Sequence, residues 1–539
     1  MNSQEKQPQT SWWQQSVIYQ IYPRSFKDSN GDGIGDLEGI ISKIEYLQWL
    51  GIDAIWLSPI YPSPMADFGY DISNYTDIDP AFGNLSDFDA LVEKAHTMGL
   101  KIILDYVPNH TSDQHPWFLE SRASIDAPKR DWYIWRNGNS APPNNWLSHF
   151  GGPAWTLDEQ TNQYYLHSFL REQPDLNWHS PEVRQAMLAV LAFWLERGVD
   201  GFRIDAVDMI AKDELLRNEP RNLKFIEGKN IPRDSLLHTF SEFQPELHEF
   251  LRYIRKTLDV YDNRLAIGEI NYRHSSDTLA TLYGNDDQLH LPFNFQLIRA
   301  PWRASSVQQM VDSYEKALPS TAWPNYVLGN HDVSRVANRI GADQARLAAM
   351  LLLTLRGTPF IYYGDEIGMT DGQITSEKIQ DRFGELVAGR SRDPERTPMQ
   401  WNSDVNAGFS EAKPWLAVSR NHDSINVTTQ QKEPSSILHL YRRLLHYRKQ
   451  TPALQRGTWH SVPSNVDVCF VYLRQSGSQR RLVALNFSDT EQELILPDSS
   501  NGKIVISTTL DREESIEQGA FILRPNEGCL IELPETGDK

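Results

Sequence analysis

Residues 101–110 read KIILDYVPNH, an apolar run rich in isoleucine that ends in acidic, amide and imidazole side chains. Such a run predicts a buried strand followed by a polar loop. Comparable runs recur between segments of helical periodicity, which is the pattern of repeated strand–helix units around a parallel sheet. Eight runs are present, the number that closes a (β/α)8 TIM barrel. They lie at 17–23, 53–59, 101–107, 201–207, 265–270, 289–295, 325–331 and 357–363.

Three helices stand out between and after these runs. LEGIISKIEYLQWLG (37–51) predicts one amphipathic helix that ends at Gly51. A second is predicted to begin with Ser180 as its N-cap and Pro181 in its first turn. The third, at 435–451, is the last long helix of the chain.

The rest of the chain divides into smaller parts. The roughly 70 residues after the third strand are too many for a simple loop, and we expect an inserted subdomain at 111–179 over the barrel mouth. The barrel is then formed by 11–110 and 180–455. Alternating strand-like runs predict a C-terminal antiparallel β-sandwich at 456–539. The polar residues 1–10 are predicted to be a disordered tail.

Composition excludes several classes of protein. A net charge of −19 argues against partners that need a positive surface, such as nucleic acid or an anionic membrane. The only cysteines, Cys469 and Cys529, are predicted to be buried thiols. The polar stretch MNSQEKQPQTS lacks the apolar core of a signal peptide, and no apolar run is long enough to span a membrane, so we expect a cytoplasmic protein. We also expect a monomer or weak homodimer.

Candidate functional residues follow the predicted strands. The loops at the carboxyl ends of the strands of such a barrel meet at one rim, where its chemistry takes place. Each residue alone is more often a cap or a hydrogen-bonded filler, but the set together predicts a catalytic site. Its members are Asp105, Asn109 and His110 after the third strand, Arg203 and Asp205 after the fourth, Glu269 after the fifth, and His331 and Asp332 after the seventh.

These residues fall in motifs that resemble those of the α-amylase family of glycoside hydrolases. The motifs are DYVPNH (105–110), GFRIDAV (201–207), GEI (268–270) and GNHD (329–332). QPDLN (173–177) resembles the form found in the oligo-1,6-glucosidase and α-glucosidase branch. The resemblance extends from the first strand to the C-terminal sandwich.

The resemblance implies a role for each carboxylate. Asp205 would be the nucleophile and Glu269 the acid/base, as in retaining glycosidases, where these groups lie about 5 to 5.5 Å apart. Asp332 would bind the sugar hydroxyls of the transition state. Arg203 precedes Asp205 by two residues on one strand, so its guanidinium is expected to keep that carboxylate ionised.

The resemblance also implies a closed, glucose-binding end of the cleft. Asp67 would pair with Arg396 and bind the terminal glucose, although a purely structural ion pair is the alternative. Tyr70 would stack on the sugar ring. His110 and His331 would hydrogen-bond its hydroxyls. Phe150 and Phe169 are candidate walls of the aglycone site, with an ordinary core role as the alternative.

The loop DSNGDGIGDLEG (28–39) has the alternating oxygen donors of the first part of an EF-hand. Position twelve is Gly39 instead of a bidentate Glu, and the acids would repel a nucleotide. The resemblance implies a small structural Ca²⁺ or Mg²⁺ site, with a metal-free loop of Asx turns as the alternative. Its ligands would be Asp28, Asn30, Asp32, the carbonyl of Ile34, and Asp36. No organic cofactor is expected.

The function implied is an exo-acting retaining α-glucosidase for maltose and short α-1,4 oligosaccharides, with sucrose as a further substrate and some transglucosylation. Ala206 supports α-1,4 preference, because α-1,6-specific members of this branch tend to carry Val there. The alternatives are an oligo-1,6-glucosidase, an isomerase or hydrolase of sucrose or trehalose, a carbohydrate-binding scaffold and a transporter-associated relative without activity. The acidic composition gives no sign of the basic rim that a phosphosugar enzyme needs.

Overall fold

The computed structural model describes residues 11–138, 141–227, 230–387, 389–495, 501–516 and 519–535, so the predicted tail at 1–10 lies outside the described residues. All eight predicted strands form one parallel sheet curled into a barrel, in the order seven, eight, one, two, three, four, five, six. The strands are Ile18–Ile21, Ala54–Leu57, Lys101–Tyr106, Gly201–Ile204, Leu265–Gly268, Leu291–Pro292, Asn325–Val327 and Thr358–Tyr362.

A side chain bridges the remaining seam of the barrel, between the sixth and seventh strands. The sixth strand is two residues long and ends at Pro292, which has no N–H to donate. The Asn325 side chain donates to the carbonyl of Pro292 (2.6 Å) and accepts from the N–H of Asn294 (3.1 Å). Asn325 is fully buried. One amide therefore replaces the missing backbone ladder.

The sequence predicted one helix at 37–51, but the structure has two, Leu37–Ile41 and Ile44–Leu50. Ser42 ends the first, and its hydroxyl donates to the carbonyl of Gly39 (2.6 Å), which competes with helix propagation. The carbonyl of Lys27 leaves no room for a Cβ on Gly39. Gly51 ends the second helix with a φ of 105°, as predicted.

The other helix predictions are confirmed at Pro181–Glu196, where the Ser180 side chain accepts from the N–H of Val183, and at Ile437–Gln450. In the described part of the chain, no helix is both long and apolar enough to cross a membrane. The remaining α-helices are Trp12–Gln15, Leu85–Thr97, Pro116–Arg122, Leu247–Leu258, Ser276–Thr281, Gln296–Arg299, Ala304–Ala317, Val336–Ile340, Ala342–Thr354, Arg382–Leu386, Val427–Gln431 and Pro452–Gln455.

The segment between the third and fourth barrel strands carries a three-stranded antiparallel sheet of Trp135–Asn137, Gln163–Leu166 and Trp155–Asp158. The buried carboxylate of Asp175, in the QPDLN motif, connects this segment to the barrel. It accepts from the Asn109 side chain (3.1 Å) and contacts the Lys212 ammonium (2.9 Å). The motif therefore fixes the segment above the strand ends.

The C-terminal part is antiparallel, as predicted. Phe521 and Leu523 of a two-stranded sheet pack against a six-stranded sheet that contains Cys469 and Cys529. Both cysteines are buried free thiols. The larger sheet contains Thr458–Val462, Cys469–Ser476, Gln479–Asn486, Gly528–Leu533, Gly502–Ser507 and Ser515–Ile516, and the smaller Gln492–Ile495 and Ala520–Leu523.

The Asn325 bridge gives the first testable prediction. Asn325→Ala should lower the free energy of unfolding by about 2–4 kcal/mol, because it leaves a buried N–H and a buried carbonyl without partners. The measurement is the midpoint of urea unfolding. Asn285→Ala, at an exposed asparagine, is the matched control and should change the free energy by less than about 0.5 kcal/mol. Equal effects of the two substitutions would contradict the role of Asn325.

Candidate active site

One cleft opens at the carboxyl ends of the barrel strands, and it brings the predicted residues together. Nine of the eleven residues predicted to act on or bind the sugar line it. The other two, Arg203 and Arg396, lie behind this surface and contact its carboxylates. The nine are Asp67, Tyr70, His110, Phe150, Phe169, Asp205, Glu269, His331 and Asp332.

The Arg203 guanidinium is the centre of the floor of this cleft. One terminal nitrogen contacts Asp105 (2.5 Å) and Asp205 (2.7 Å), and the other contacts Glu269 (2.5 Å). Arg203 is fully buried. The contact with Asp205 was predicted, but three carboxylates share the cation, and the pKa of Asp205 is raised by burial in spite of it.

This sharing affects how Asp205 and Glu269 hold protons. Burial raises the pKa of both carboxyls, and the Arg203 charge only partly offsets that effect. The negative charge of Glu269 further raises the pKa of Asp205. The two groups therefore titrate as a pair that retains a proton to a higher pH than a solvated carboxyl would. One ionised and one protonated carboxyl are what a retaining glycosidase needs.

Asp332 has the opposite environment. Arg396 (2.9 Å) and Arg392 (3.3 Å) contact one of its oxygens, and the Nε2 of His331 (3.2 Å) contacts the other. Burial acts to raise the pKa of Asp332, but these neighbours outweigh it and lower the pKa well below its usual range. Asp332 is therefore ionised.

The predicted pairing of Asp67 with Arg396 is wrong. Asp67 pairs with Arg392 (2.7 Å), which also contacts Asp381 (2.7 Å). Arg396 instead donates through its Nε to the carbonyl of His331 (2.8 Å) and pairs with Asp332. The two arginines lie four residues apart in one irregular segment, and the sequence pattern does not say which of them faces Asp67.

The two histidines are neutral hydrogen-bonding groups. The Gln20 amide donates to Nδ1 of His331 (2.8 Å), so the proton is on Nε2, which faces the Tyr70 hydroxyl at 2.9 Å. Nε2 of His110 contacts the carbonyl of Tyr70 (3.0 Å). Burial lowers the pKa of His331 to about 3 and that of His110 to about 4. The Tyr70 ring stacks on His331, with centroids 5.4 Å apart.

Phe150 and Phe169 lie on one aromatic wall of the cleft, with ring centroids 5.9 Å apart. Sequence reasoning missed the third ring, Phe383, which lies 4.9 Å from Phe150 and also lines the cleft. It comes from the short helix Arg382–Leu386 after the eighth strand, whose five residues carry no recognisable pattern.

Other site residues were given no role by the sequence analysis or were missed by it. Asp105 begins the DYVPNH motif but received no role; burial raises its pKa to about 6, against the effect of Arg203. Gln173, the first residue of QPDLN, donates to Asp67 (3.1 Å). Asp105 and Gln173 both lie in motifs that the sequence analysis quoted, so the sequence could have identified them. No motif marks Arg392 or Asp381, because their contacts depend on loops distant in sequence.

Two groups of acidic residues in the described part of the chain contain possible metal ligands. Asp208, Glu242 and His274 bring possible ligand atoms within 4.8 Å of one another. Arg233 (2.6 Å) and Arg273 (2.8 Å) already neutralise Glu242, so this cluster is an ion-pair network.

The 28–39 loop has only oxygen donors, which suits a hard cation. Asp28 accepts from the N–H groups of Asn30 (3.0 Å) and Gly31 (2.8 Å), and Asp32 from that of Ile34 (2.8 Å), which are Asx turns. Among the described residues, no cationic side chain lies within 4 Å of the carboxylates of Asp28, Asp32 or Asp36. These carboxylates therefore have turn hydrogen bonds but no neutralising charge.

Comparison with known proteins agrees with this geometry. A family model described as "Alpha amylase, catalytic domain" matches residues 20–457, and the SusG C-terminal domain matches 469–528. The chain belongs to the α-amylase family. It is therefore a glycoside hydrolase, and its substrate is a carbohydrate.

Relatives of this α-amylase family member include enzymes with different specificities. A probable α-glucosidase of Rhizobium meliloti is 42% identical over 96% of this chain and 98% of its own. An oligo-1,6-glucosidase of Parageobacillus thermoglucosidasius is 38% identical over 97% and 99%. The solved structure of an α-glucosyl transfer enzyme has a TM-score of 0.92 at 40% identity, covering 98% of this chain and all of the other.

Arg392 gives the second prediction. It bridges Asp67, Asp332 and Asp381, which the single ammonium of a lysine cannot reproduce. Arg392→Lys should therefore lower kcat/KM for maltose by about 30- to 100-fold, roughly 2–3 kcal/mol. Arg382→Lys is the matched control, because Arg382 is partly exposed and makes only looser ion pairs, at 3.4 and 3.7 Å. A loss of similar size in the control would contradict the bridging role.

Proposed function

We propose that the protein is an exo-acting retaining α-glucosidase that releases α-glucose from the non-reducing end of maltose and short α-1,4 oligosaccharides. Sucrose is a further substrate, and some glucosyl groups are transferred to alcohols. The observation that supports the reaction is the Arg203 guanidinium in contact with Asp205 and Glu269, with ionised Asp332 in the same cleft. The names of its relatives support the substrate class.

The proposed mechanism uses the shared proton of the pair. Glu269 protonates the glycosidic oxygen as the bond to the anomeric carbon breaks, and the Asp205 carboxylate bonds to that carbon on the opposite face. Glu269, now ionised, removes a proton from water, whose oxygen attacks the same carbon and releases Asp205. Two inversions retain the α configuration. Asp332 and the histidines contact the sugar hydroxyls, which stabilises the oxocarbenium-like transition state.

We propose that the contacts of Asp67 close one end of the cleft, which would make the enzyme exo-acting. Asp67 is held by Arg392 (2.7 Å) and by Gln173 (3.1 Å), and Arg392 continues to Asp332 (3.3 Å). This network joins segments that follow four different strands of the barrel, the second, third, seventh and eighth. The non-reducing end of an oligosaccharide would stop at Asp67, so only the bond of its terminal glucose would reach Asp205.

Linkage preference is proposed from Ala206. Ala206 lines the cleft directly after the nucleophile and has a left-handed backbone, with φ 45° and ψ 44°. Its N–H lies 3.4 Å from a carboxylate oxygen of Glu269. A β-branched residue would narrow the aglycone approach and would also strain this backbone. The small methyl favours α-1,4 over α-1,6 aglycones, with oligo-1,6-glucosidase activity as the second candidate.

The third prediction tests this proposal with maltose and isomaltose. The native enzyme should show a higher kcat/KM for maltose, and Ala206→Val should lower the maltose-to-isomaltose ratio by about tenfold. Ala206→Gly is the matched control, because glycine accepts the left-handed backbone without narrowing the site. A native preference for isomaltose, or an unaltered ratio in the valine variant, would refute the α-1,4 assignment.

The fourth prediction concerns pH. Burial raises the pKa of Glu269, so this acid keeps its proton to a higher pH than a free glutamic acid does. We expect kcat/KM for maltose to fall as the pH rises through this raised pKa. The Glu269→Gln variant has an amide in place of this carboxyl group, so its side chain does not titrate. With 2,4-dinitrophenyl α-glucoside, whose leaving group needs no acid, it should still form the glucosyl-enzyme with no alkaline decline.

Asp205→Asn is the matched control for that experiment. It should remain folded by circular dichroism and be inactive on both substrates, because no nucleophile remains. Substantial turnover by Asp205→Asn, or an unchanged alkaline limb in Glu269→Gln, would overturn the assignment of roles.

We also propose that the 28–39 loop binds a structural Ca²⁺ or Mg²⁺. The ligands are Asp28, Asn30, Asp32, the carbonyl of Ile34, and Asp36. The loop offers only oxygen donors and, in the described part of the chain, has no cationic side chain beside its carboxylates, so a bound divalent cation would neutralise them and stabilise the first loop of the barrel.

The fifth prediction is that excess chelator lowers the melting temperature by several degrees, equivalent to about 3 kcal/mol for a well-occupied site. Added Ca²⁺ or Mg²⁺ should restore it. Asp32→Asn weakens the site without touching the cleft, so this variant should respond less to chelator. A melting temperature unchanged by chelator in the native protein would favour the metal-free loop.

A further inference from the structure

Two arginines in the cleft have no part in the proposed mechanism. Arg299 and Arg390 both line the cleft, and both are exposed. Among the described residues, no carboxylate lies within 4 Å of either guanidinium, and neither side chain makes a hydrogen bond. The acidic composition of the chain indicated no basic group at the cleft rim, but composition cannot locate individual charges.

These arginines differ from those of the cleft floor. Arg203, Arg392 and Arg396 each lie within 3 Å of at least one carboxylate. The chain has 71 acidic and 52 basic residues, so most cations have an acidic neighbour available. Two guanidinium groups without a carboxylate partner among the described residues therefore give this cleft a local positive charge, although the chain as a whole is negatively charged.

The position of Arg299 places its charge on the side of the leaving group. Tyr272 follows Glu269, the proposed proton donor to the leaving group, by three residues and also lines the cleft. The Arg299 guanidinium lies 4.3 Å from the centroid of the Tyr272 ring. This packing supports the side chain from one side and leaves its N–H groups free. Arg390 comes from a different loop, two residues before Arg392.

We propose that Arg299 and Arg390 bind a carboxylate or phosphate on the aglycone, so that α-glucosides with an anionic aglycone are preferred substrates. The inference rests on the proposed α-glucosidase function and specifies its substrate class. Guanidinium groups form charge-assisted, bidentate hydrogen bonds with both anions. The glucose side cannot carry the anion, because Asp67, Asp205 and Asp332 would repel it.

The experiment compares 4-carboxyphenyl α-glucoside with 4-carbamoylphenyl α-glucoside, a neutral substrate of nearly the same shape. The native enzyme should show a kcat/KM about tenfold higher for the carboxylate at low ionic strength, and the advantage should shrink with added salt. A parallel comparison of trehalose 6-phosphate with trehalose tests the phosphate. A preference in either pair supports the proposal and identifies the anion.

Variants assign the effect to the two arginines. Arg299→Gln with Arg390→Gln should abolish the preference through a higher KM for the anionic substrate, and leave kcat/KM for the carbamoyl glucoside within about twofold. Arg299→Lys, which keeps the charge, should retain part of the preference. Arg303→Gln, at an exposed arginine outside the cleft lining, is the matched control and should retain all of it.

The results separate this inference from the function on which it rests. Equal kcat/KM for the charged and neutral members of both pairs in the native enzyme would overturn the anionic aglycone, as would equal losses on both glucosides in the double variant. A native enzyme that hydrolyses neither the carbamoyl glucoside nor maltose would instead refute the α-glucosidase function.

Discussion

A buried guanidinium that must be neutralised is the constraint on which the site depends. Arg203 has almost no contact with water, and an uncompensated cation in that position would cost several kcal/mol. Asp105, Asp205 and Glu269 compensate it, and they come from the ends of the third, fourth and fifth strands. Electrostatics and barrel geometry therefore require each other: the strands bring the carboxylates together, and the cation allows them to remain together.

The sequence was sufficient for the barrel and for the innermost residues. Strand runs such as KIILDYV are buried on both sides, so their apolar pattern is continuous and easily read. The residues that end these runs have fixed positions, because a strand determines where its last side chain points. For this reason Asp205, Glu269 and Asp332 could be placed in one cleft before the structure was known.

Where the chain is irregular, the sequence was not sufficient. Arg392 and Arg396 lie in a segment without periodicity, and only the fold shows which one contacts Asp67. Gln173 and Asp175 reach the barrel across long separations in sequence. The helix predicted at 37–51 is interrupted at Ser42, whose hydroxyl bonds to a backbone carbonyl. Helix propensities do not account for such a bond. In each case the deciding interaction is a hydrogen bond or ion pair, and such contacts depend on geometry that hydrophobic patterns do not encode.

The order of strands in the barrel also has a consequence for how the chain is made. The first strand pairs with the eighth, so that Ile18 lies beside Phe360, more than 300 residues away along the chain. During synthesis from the N-terminus, the first strand has one open edge until the ribosome has produced and released the eighth. Exposed strand edges promote aggregation in partly folded chains. The nascent protein therefore depends on rapid elongation or on chaperones for longer than a chain whose neighbouring strands are consecutive.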